Sequence, residues 1–411
     1  MKILIVGLNY RPERTGNAPY TAGLARGIAA RGHDAAVVTT HPHYPEWRIA
    51  LGYGQWQRTE VIDGVRVTRL LHYVPRTPRG IVRLLSEISF GLRAAFVPWG
   101  RPDIIVMPSP ALFATAIVTL RARLTNPRAR RVMWVQDLYT LGMEETGRGS
   151  LAGVMARVES WVARNQDGVV AIHPRFRDLV VDRLGVPAGR VTVVRNWSHV
   201  GVVREFDRAA TRSKYGWSDN ESIALHAGNM GVKQGLENLV DAARRADERG
   251  EPVRIVLVGG GSQKAALLAQ SVGVKRIQWL ESLPDGEFEE TLASADVLLL
   301  NERPGVAELA VPSKLTTYFS TGLPVVAATD ANSISASEIE ASGGGLRVPA
   351  GAPDLLLDAI LSLRSDPDLA RSLGAVGVAF REANLTEDAA VGSYLEWLES
   401  LAAQPRKNCR S

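Results

Sequence analysis

The chain has 411 residues, of which 45% are hydrophobic and 22% charged, and a formal net charge of +5. That length predicts two domains rather than one small core, and the balance of apolar and charged residues excludes a disordered or fibrous protein. A single cysteine, Cys409 in the polar tail Gln404-Pro405-Arg406-Lys407-Asn408, excludes an internal disulfide. The opening run Ile3-Leu4-Ile5-Val6-Gly7 is too short for a signal core, and the longest apolar stretches, such as Leu112 to Leu120, fall short of the ~20 residues of a membrane span. A soluble cytoplasmic protein is the expectation.

The first half predicts strand alternating with helix. Strands are expected at Lys2–Gly7, Ala35–Thr40, Gly64–Leu70, Asp103–Met107, Arg131–Gln136, Asp167–Ile172 and Val191–Val194, and a helix at Tyr20–Arg31. A polar segment from Arg204 to Ser222 then separates a second series. Its strands are Ser222–His226, Val253–Val258, Ile277–Leu280, Val297–Leu300 and Val325–Ala328, and its helices Gly235–Arg249, Pro312–Ser320 and Asp354–Leu363. Apolar strands alternating with helices imply parallel sheets covered on both faces. The predicted class is therefore α/β, with two Rossmann-like domains facing across a cleft, at 1–203 and 204–385. A last helix, 386 onward, carries Tyr394, Trp397 and Leu398 on one face and is expected to return to the first domain, followed by the polar tail.

Charge is unevenly spread. Between Arg58 and Arg131 thirteen arginines stand against four acids, Glu60, Asp63, Glu87 and Asp103, with Phe90, Phe96, Trp99 and several leucines among them. Such a face suits an anionic membrane surface, where each Arg contributes on the order of 1 kcal/mol. A plain solvated surface is the alternative, and nucleic acid is not expected as a partner.

Ligand sites in such sheets form where strands end and helices begin. The first junction contains Thr15-Gly16-Asn17, where glycine lets backbone approach an anion. In the second half, Gly228-Asn229-Met230-Gly231-Val232-Lys233-Gln234-Gly235 follows a strand, and its glycine turns around a lysine suit a diphosphate. It lacks the Gly-Lys-Ser/Thr of a Walker loop. Gly259-Gly260-Gly261 makes no dinucleotide fingerprint either, because Lys264 stands where a third glycine would be needed, which disfavours hydride transfer. In Glu308-Leu309-Ala310-Val311-Pro312-Ser313-Lys314-Leu315-Thr316-Thr317-Tyr318, Pro312 suits a first helical turn with Ser313 and Lys314 just inside it.

Taken in order, the GN-x-G-x-x-QGL segment, VGGG, VPSKL and GLPVVA resemble the retaining glycosyltransferase family 4 of GT-B fold, nearest the exopolysaccharide and colanic-acid type. The N-terminal MKILIVGLNYRPERTGNAPY, IDGVRV and VQDLY fit the same resemblance, which spans roughly residues 1–400. It implies transfer of a sugar from a UDP- or GDP-sugar to a saccharide acceptor, polyprenyl-linked acceptors included, in cell-surface glycan synthesis at the inner face of the membrane. It places Gly16 and Asn17 near the donor diphosphate, with Gly228, Asn229, Gly231 and Lys233 on the phosphates. Gly259 and Gly260 would lie by the base, and Ser313, Lys314, Leu315 and Thr317 by phosphates and ribose. Glu308 would sit near the donor sugar, and Asp137 at the reacting sugar or acceptor, so that Asp137, Lys233, Glu308 and Lys314 are the expected catalytic set. The chain departs from the family in Asn229 for arginine, Gln234 for lysine, and Leu309 and Thr317 for the Glu-x7-Glu pair.

His43, Tyr44 and His173 are the acceptor candidates, while His33 reads as a structural residue at a turn. Asp366-Pro367-Asp368 mimics a metal-binding DxD but stands between helices, which predicts a turn and N-cap. No His, Cys and carboxylate set has metal-ligand spacing, so neither metal nor cofactor is expected beyond the donor itself. Rival readings are a non-hydrolysing sugar-nucleotide 2-epimerase and a catalytically silent nucleotide-sugar-binding homologue.

Overall fold

The computed structural model describes residues 1–13, 16–77, 80–139, 149–197, 206–284, 286–305 and 313–405. The chain divides into two compact units, Met1–Trp197 with Glu387–Ser411, and Ser198–Thr386.

The first unit is an eight-stranded sheet of order β3-β4-β2-β1-β5-β6-β7-β8. Its strands are β1 (Lys2–Val6), β2 (Asp34–Thr40), β3 (Gln57–Ile62), β4 (Val65–Leu70), β5 (Ile104–Pro108), β6 (Arg130–Val135), β7 (Gly168–Ala171) and β8 (Val191–Val193). Helices α1 (Ala18–Ala30), α2 (Ile81–Ala95), α3 (Leu112–Thr125), α4 (Gly149–Arg164) and α5 (Pro174–Asp182) connect them. The interior strands β5 and β7 are buried along their whole length, as helical cover on both faces requires. β3 corrects the expected all-parallel order, because it pairs antiparallel with β4. Its residues alternate exposed and half-buried, as an edge strand allows, so it carries no apolar run to betray it. The hairpin turns at Asp63-Gly64, both at positive φ (51° and 77°), a signal legible in the dipeptide itself.

The second unit is a six-stranded parallel sheet of order β11-β10-β9-β12-β13-β14. Here β9 is Ser222–Ala227, β10 Val253–Val258, β11 Ile277–Leu280, β12 Val297–Asn301, β13 Val325–Ala328 and β14 Gly345–Val348. The helices are α6 (Arg208–Tyr215), α7 (Glu237–Arg249), α8 (Lys264–Gln270), α9 (Glu287–Ala293), α10 (Ser313–Tyr318), α11 (Ile334–Ser342), α12 (Pro353–Ser365) and α13 (Pro367–Asn384). β14 and helices α6, α8, α9 and α11 are not among the expected elements, whereas α13 stands where the Asp366-Pro367-Asp368 motif implies a helix. β14 begins on a glycine whose Cβ would lie 2.2 Å from the Val325 carbonyl oxygen, so its pairing with β13 depends on a residue that argues against a strand. Helix α7 begins two residues later than expected, because Val232–Gln234 forms a separate 3-10 turn ended by Gly235 at φ 53°. Asp366 accepts the Leu369 N–H at 2.9 Å and N-caps α13, as the turn reading of that motif requires.

Helix α14 (Glu387–Ala403) packs on the first unit. Val391 lies where a Cβ on Gly27 would stand, and the Trp397 ring covers Gly168. Tyr394 meets Trp134 edge-on at 5.3 Å, while Glu387 and Asp388 pair with Arg26 and Arg31. His33 sits at this same seam, hydrogen-bonded to the N-terminus and 3.6 Å from Glu399.

Candidate functional site

Each sheet has a switch point, where the chain turns from building one side to building the other, and a cavity opens at the carboxyl ends of its strands, at the switch point in the first unit and next to it, over β9, β10 and β11, in the second. In the first unit it falls between β1 and β5. A cavity of about 240 Å³ opens there, with Gly7 and Pro108 at the strand ends. Gly16, Asn17, His43, Tyr44 and Asp137, far apart in sequence, all line it.

Side chains behind the wall explain that convergence. Glu13, almost wholly buried, accepts the backbone N–H of His43 and of Tyr44 at 2.8 Å each, and its other oxygen accepts Asn9 Nδ2 at 2.9 Å. One carboxylate thus ties the loop after β2 to the loop after β1. Asn17 Nδ2 donates to the Ser109 carbonyl. Ser109 Oγ accepts the Gln136 and Asp137 N–H groups at 3.1 Å and donates to the Asp137 carbonyl at 2.6 Å, fixing the backbone at Asp137. His43 donates Nδ1–H to the His41 carbonyl at 3.0 Å, which leaves Nε2 as its unprotonated nitrogen when neutral. Gly16, at φ 62°, puts its bare Cα against the Tyr44 ring, 3.4 Å from where a Cβ would be.

Sequence reasoning missed Glu13 and Glu87, because a carboxylate inside a wall leaves no periodic trace. Glu87 comes from α2 and lines the cavity with Arg83 one turn earlier. His173 is not brought to this cavity. It is 1% exposed and N-caps α5, its Nδ1 accepting the Arg175 N–H at 3.1 Å.

In the second unit the switch falls between β9 and β12. A cavity of about 360 Å³ beside it is lined by Gly228, Asn229, Gly259 and Gly260, with Ser282, Leu283 and Phe288, which the sequence did not single out. The glycines are there because two turns interlock. A Cβ on Gly259 would stand 2.4 Å from the Gly228 carbonyl oxygen, and one on Gly261 2.6 Å from the Met230 backbone. Both lie at positive φ (126° and 152°).

Lys314 crosses this loop, its Cε 2.9 Å from where a Gly228 Cβ would be. Its ammonium lies 3.0 Å from His226 Nε2. His226 is fully buried in β9 and its Nδ1 bonds the Leu299 carbonyl at 3.0 Å. A carbonyl accepts, so Nδ1 carries the proton and Nε2 presents a lone pair to Lys314. Burial and then the Lys314 charge push the His226 pKa well below the usual imidazole value, so the ring stays neutral beside the ammonium. The Tyr318 hydroxyl, accepting the Ala227 N–H at 3.0 Å, holds the same strand end.

The remaining candidates are placed as follows. Gly231 donates its N–H to Gln234 Oε1 at 3.0 Å, and Lys233 is exposed on the following turn, outside the residues lining the cavity. Leu315 belongs to the apolar core and Thr317 is buried on α10. Ser313 starts α10. Glu308 lies outside the described residues. Among the described residues no group of three or more His, Cys, Asp or Glu side chains could hold a metal ion.

Two parallel-sheet α/β units, each with a cavity at the carboxyl ends of its strands, define a GT-B transferase fold, and comparison with solved structures agrees. Sucrose-phosphate synthase from Thermosynechococcus elongatus is 17% identical and covers 98% of this chain and 100% of its own, with a TM-score of 0.70. Alr3699/HepE of Anabaena, solved with UDP and glucose, is also 17% identical and covers 97% and 100%, with a TM-score of 0.66. Residues 15–197 match the glycosyl transferase 4-like domain and residues 221–366 the glycosyl transferases group 1 domain. WcaI of Escherichia coli K12, provisionally named a colanic acid biosynthesis glycosyl transferase, is 34% identical over 339 residues, 78% of this chain and 82% of its own. The chain belongs to the group 1, family 4-like glycosyltransferases, and is a glycosyltransferase.

Proposed function

We propose that this enzyme transfers a sugar from a UDP- or GDP-sugar to a lipid-linked saccharide, with retention at the anomeric carbon, in the synthesis of an exopolysaccharide. The observation that carries the reading is the Lys314 ammonium, held over the Gly228 turn by a neutral His226. A cation fixed beside a glycine turn at a sheet switch point meets a diphosphate without reorganising as charge develops on it. Lys233 on the adjacent turn supplies a second, mobile charge. Glycines 228, 259 and 260 let the nucleotide approach the backbone, with Ser282, Leu283 and Phe288 as the wall for its base. Gly16, Asn17 and Asp137 would face the reacting sugar, with His43 and Tyr44 on the acceptor, and Glu308 is retained as a donor-sugar contact. The leaving phosphate oxygen takes the acceptor's proton on the same face, so no metal and no protein base are required by this scheme.

UDP and glucose in the Anabaena structure and the colanic acid name of the Escherichia coli relative support the donor class and the pathway class. A peripheral seat on an anionic membrane draws support from the arginine-rich surface. Three of its four acids are already engaged, Glu60 with Arg69, Asp63 with Arg11 and Asp103 with the Lys2 N–H, and the fourth, Glu87, is buried. Among the described residues no helix is long and apolar enough to cross a membrane.

Thermal-shift titration against UDP, GDP and their sugars identifies the base, since a ligand of the native state raises the melting temperature. Turnover by Lys314→Ala, folded by circular dichroism, is expected to fall by roughly tenfold or more. Unchanged turnover in both Lys314→Ala and Lys233→Ala would overturn the assignment.

A further inference from the structure

Resting on the transferase reading, we propose that Glu87, backed by Arg83, is the group of the first unit's cavity that selects the incoming saccharide, giving a carboxyl O–H to an acceptor oxygen. Three features of the wall lead there. Glu87 reaches the cavity from α2 although its side chain is almost wholly buried, so its carboxyl meets whatever enters rather than bulk water. Oε2 is turned back, accepting the Phe113 N–H at 3.2 Å in the first turn of α3. Oε1 lies 3.8 Å from Arg83 Nε, beyond hydrogen-bond distance, and so remains the oxygen suited to carry a proton and donate it.

The surroundings favour the neutral acid. From α2 the facing charge is Arg83, which is 43% exposed and therefore weakened by water. Arg83 also lies over the Tyr139 ring at 5.7 Å, drawn toward that loop. The first turn of α3 brings no acid, the loop after β1 brings Asn9 and Asn17, the loop after β2 brings His43, and the loop after β6 brings Asp137 and Tyr139. The Tyr139 hydroxyl is pushed up by burial and by Glu87 and so stays neutral. Burial outweighs the Phe113 bond and Arg83, raising the Glu87 pKa to about 7. A saccharide is rich in oxygen acceptors, and a neutral carboxyl serves it without bringing a buried anion into the cavity. Above neutrality the O–H donor is lost and an anion replaces it, which also repels an acceptor carried on a diphosphate.

Octyl β-glucoside and octyl β-galactoside, used below their micelle concentrations, are suitable probes, with Trp47 in the wall as the fluorescent reporter. The full-length protein is titrated at about pH 6 and about pH 8.5, on either side of the Glu87 transition. Wild-type affinity is expected to fall about tenfold at the higher pH, the loss of one well-placed hydrogen bond and the gain of a charge. Glu87→Gln, which keeps a donor at every pH, is expected to bind at both pH values as wild type does at the lower one. Glu87→Ala is expected to bind weakly at both. Equal wild-type affinity at the two pH values, a pH dependence surviving in Glu87→Gln, or undiminished binding by Glu87→Ala overturns the proposal. So does failure of every variant to bind either glycoside. If UDP or GDP still raises the melting temperature in that case, the transferase reading stands without this inference; if neither does, both fall.

Discussion

A carboxyl on a buried wall has a stability signature separate from any ligand. The pKa of Glu87 rises from 4.5 in the unfolded chain to about 7 in the folded one. Between those values the unfolded chain has released a proton that the folded chain keeps, so stability falls as pH rises through the window and levels off above it. The full span amounts to on the order of 3 kcal/mol. Glu87→Gln removes the titration. Urea unfolding should therefore find this variant more stable than wild type by roughly 1–3 kcal/mol at about pH 8, and near parity at about pH 4.5. A difference independent of pH would mean that Glu87 is not held neutral. Residues of this kind are the least legible in sequence. Gly16, Asn17 and the glycine turns could be picked out because they stand at strand ends, where backbone rules apply, and Asp137 through the family resemblance. Glu13, Glu87 and His226 act from inside a loop, a helix and a strand, where only three-dimensional packing gives a polar side chain its task.

Elements announce themselves when their interiors are apolar, which is why, among the described residues, twelve of fourteen strands are expected from the sequence and edge strands β3 and β14 are not. Contacts between elements are another matter, since they depend on small residues that read as breaks. Helix α14 lies against β7 only because position 168 has no side chain. A Cβ there would stand 2.4 Å from the Trp397 ring. Gly168→Ala should cost about 1–3 kcal/mol, and the cost should shrink when Trp397 is also reduced to Leu, as a double-mutant cycle can measure. Equal costs in both backgrounds would remove Trp397 from the explanation. Helices α2 and α3 pair in the same way through Gly91, whose Cβ would meet the Ala114 Cα at 2.9 Å. Their outer faces leave Leu92, Phe96, Leu120 and Leu124 exposed beside arginines, and Phe96 and Leu124 are the most open of them at 85% and 82%. If that face meets lipid, Phe96→Glu with Leu124→Glu should abolish sedimentation with phosphatidylglycerol vesicles while sparing transfer to a soluble glycoside. Retained sedimentation would move the membrane contact elsewhere.

At the scale of the molecule, the chain completes one unit, builds a second, and then returns with α14 to seal the first. Unit 1 consequently contains both chain ends, while unit 2, Ser198–Thr386, is an insertion with its own cores around β9, β10 and β12. A ligand stabilises only the cooperative unit that folds around its site. Calorimetry of the full-length chain should resolve two transitions, and a nucleotide diphosphate should raise only the one that belongs to unit 2. At a hundredfold excess over Kd the stabilisation is about 2.7 kcal/mol, or roughly 5–10 °C for a unit of this size. Trp217 and Trp279 are the tryptophans of unit 2, the other seven lying in unit 1, so replacing both with Phe tells the transitions apart by fluorescence. Removing α14 tests the same architecture from the other side. The loss of Val391, Tyr394, Leu395 and Leu398 from a buried seam should lower the unit 1 transition by tens of degrees or eliminate it, leaving the nucleotide-shifted transition in place. A nucleotide shift shared equally by both transitions would show that donor binding is a property of the whole enzyme and not of the Gly228–Lys314 turn alone.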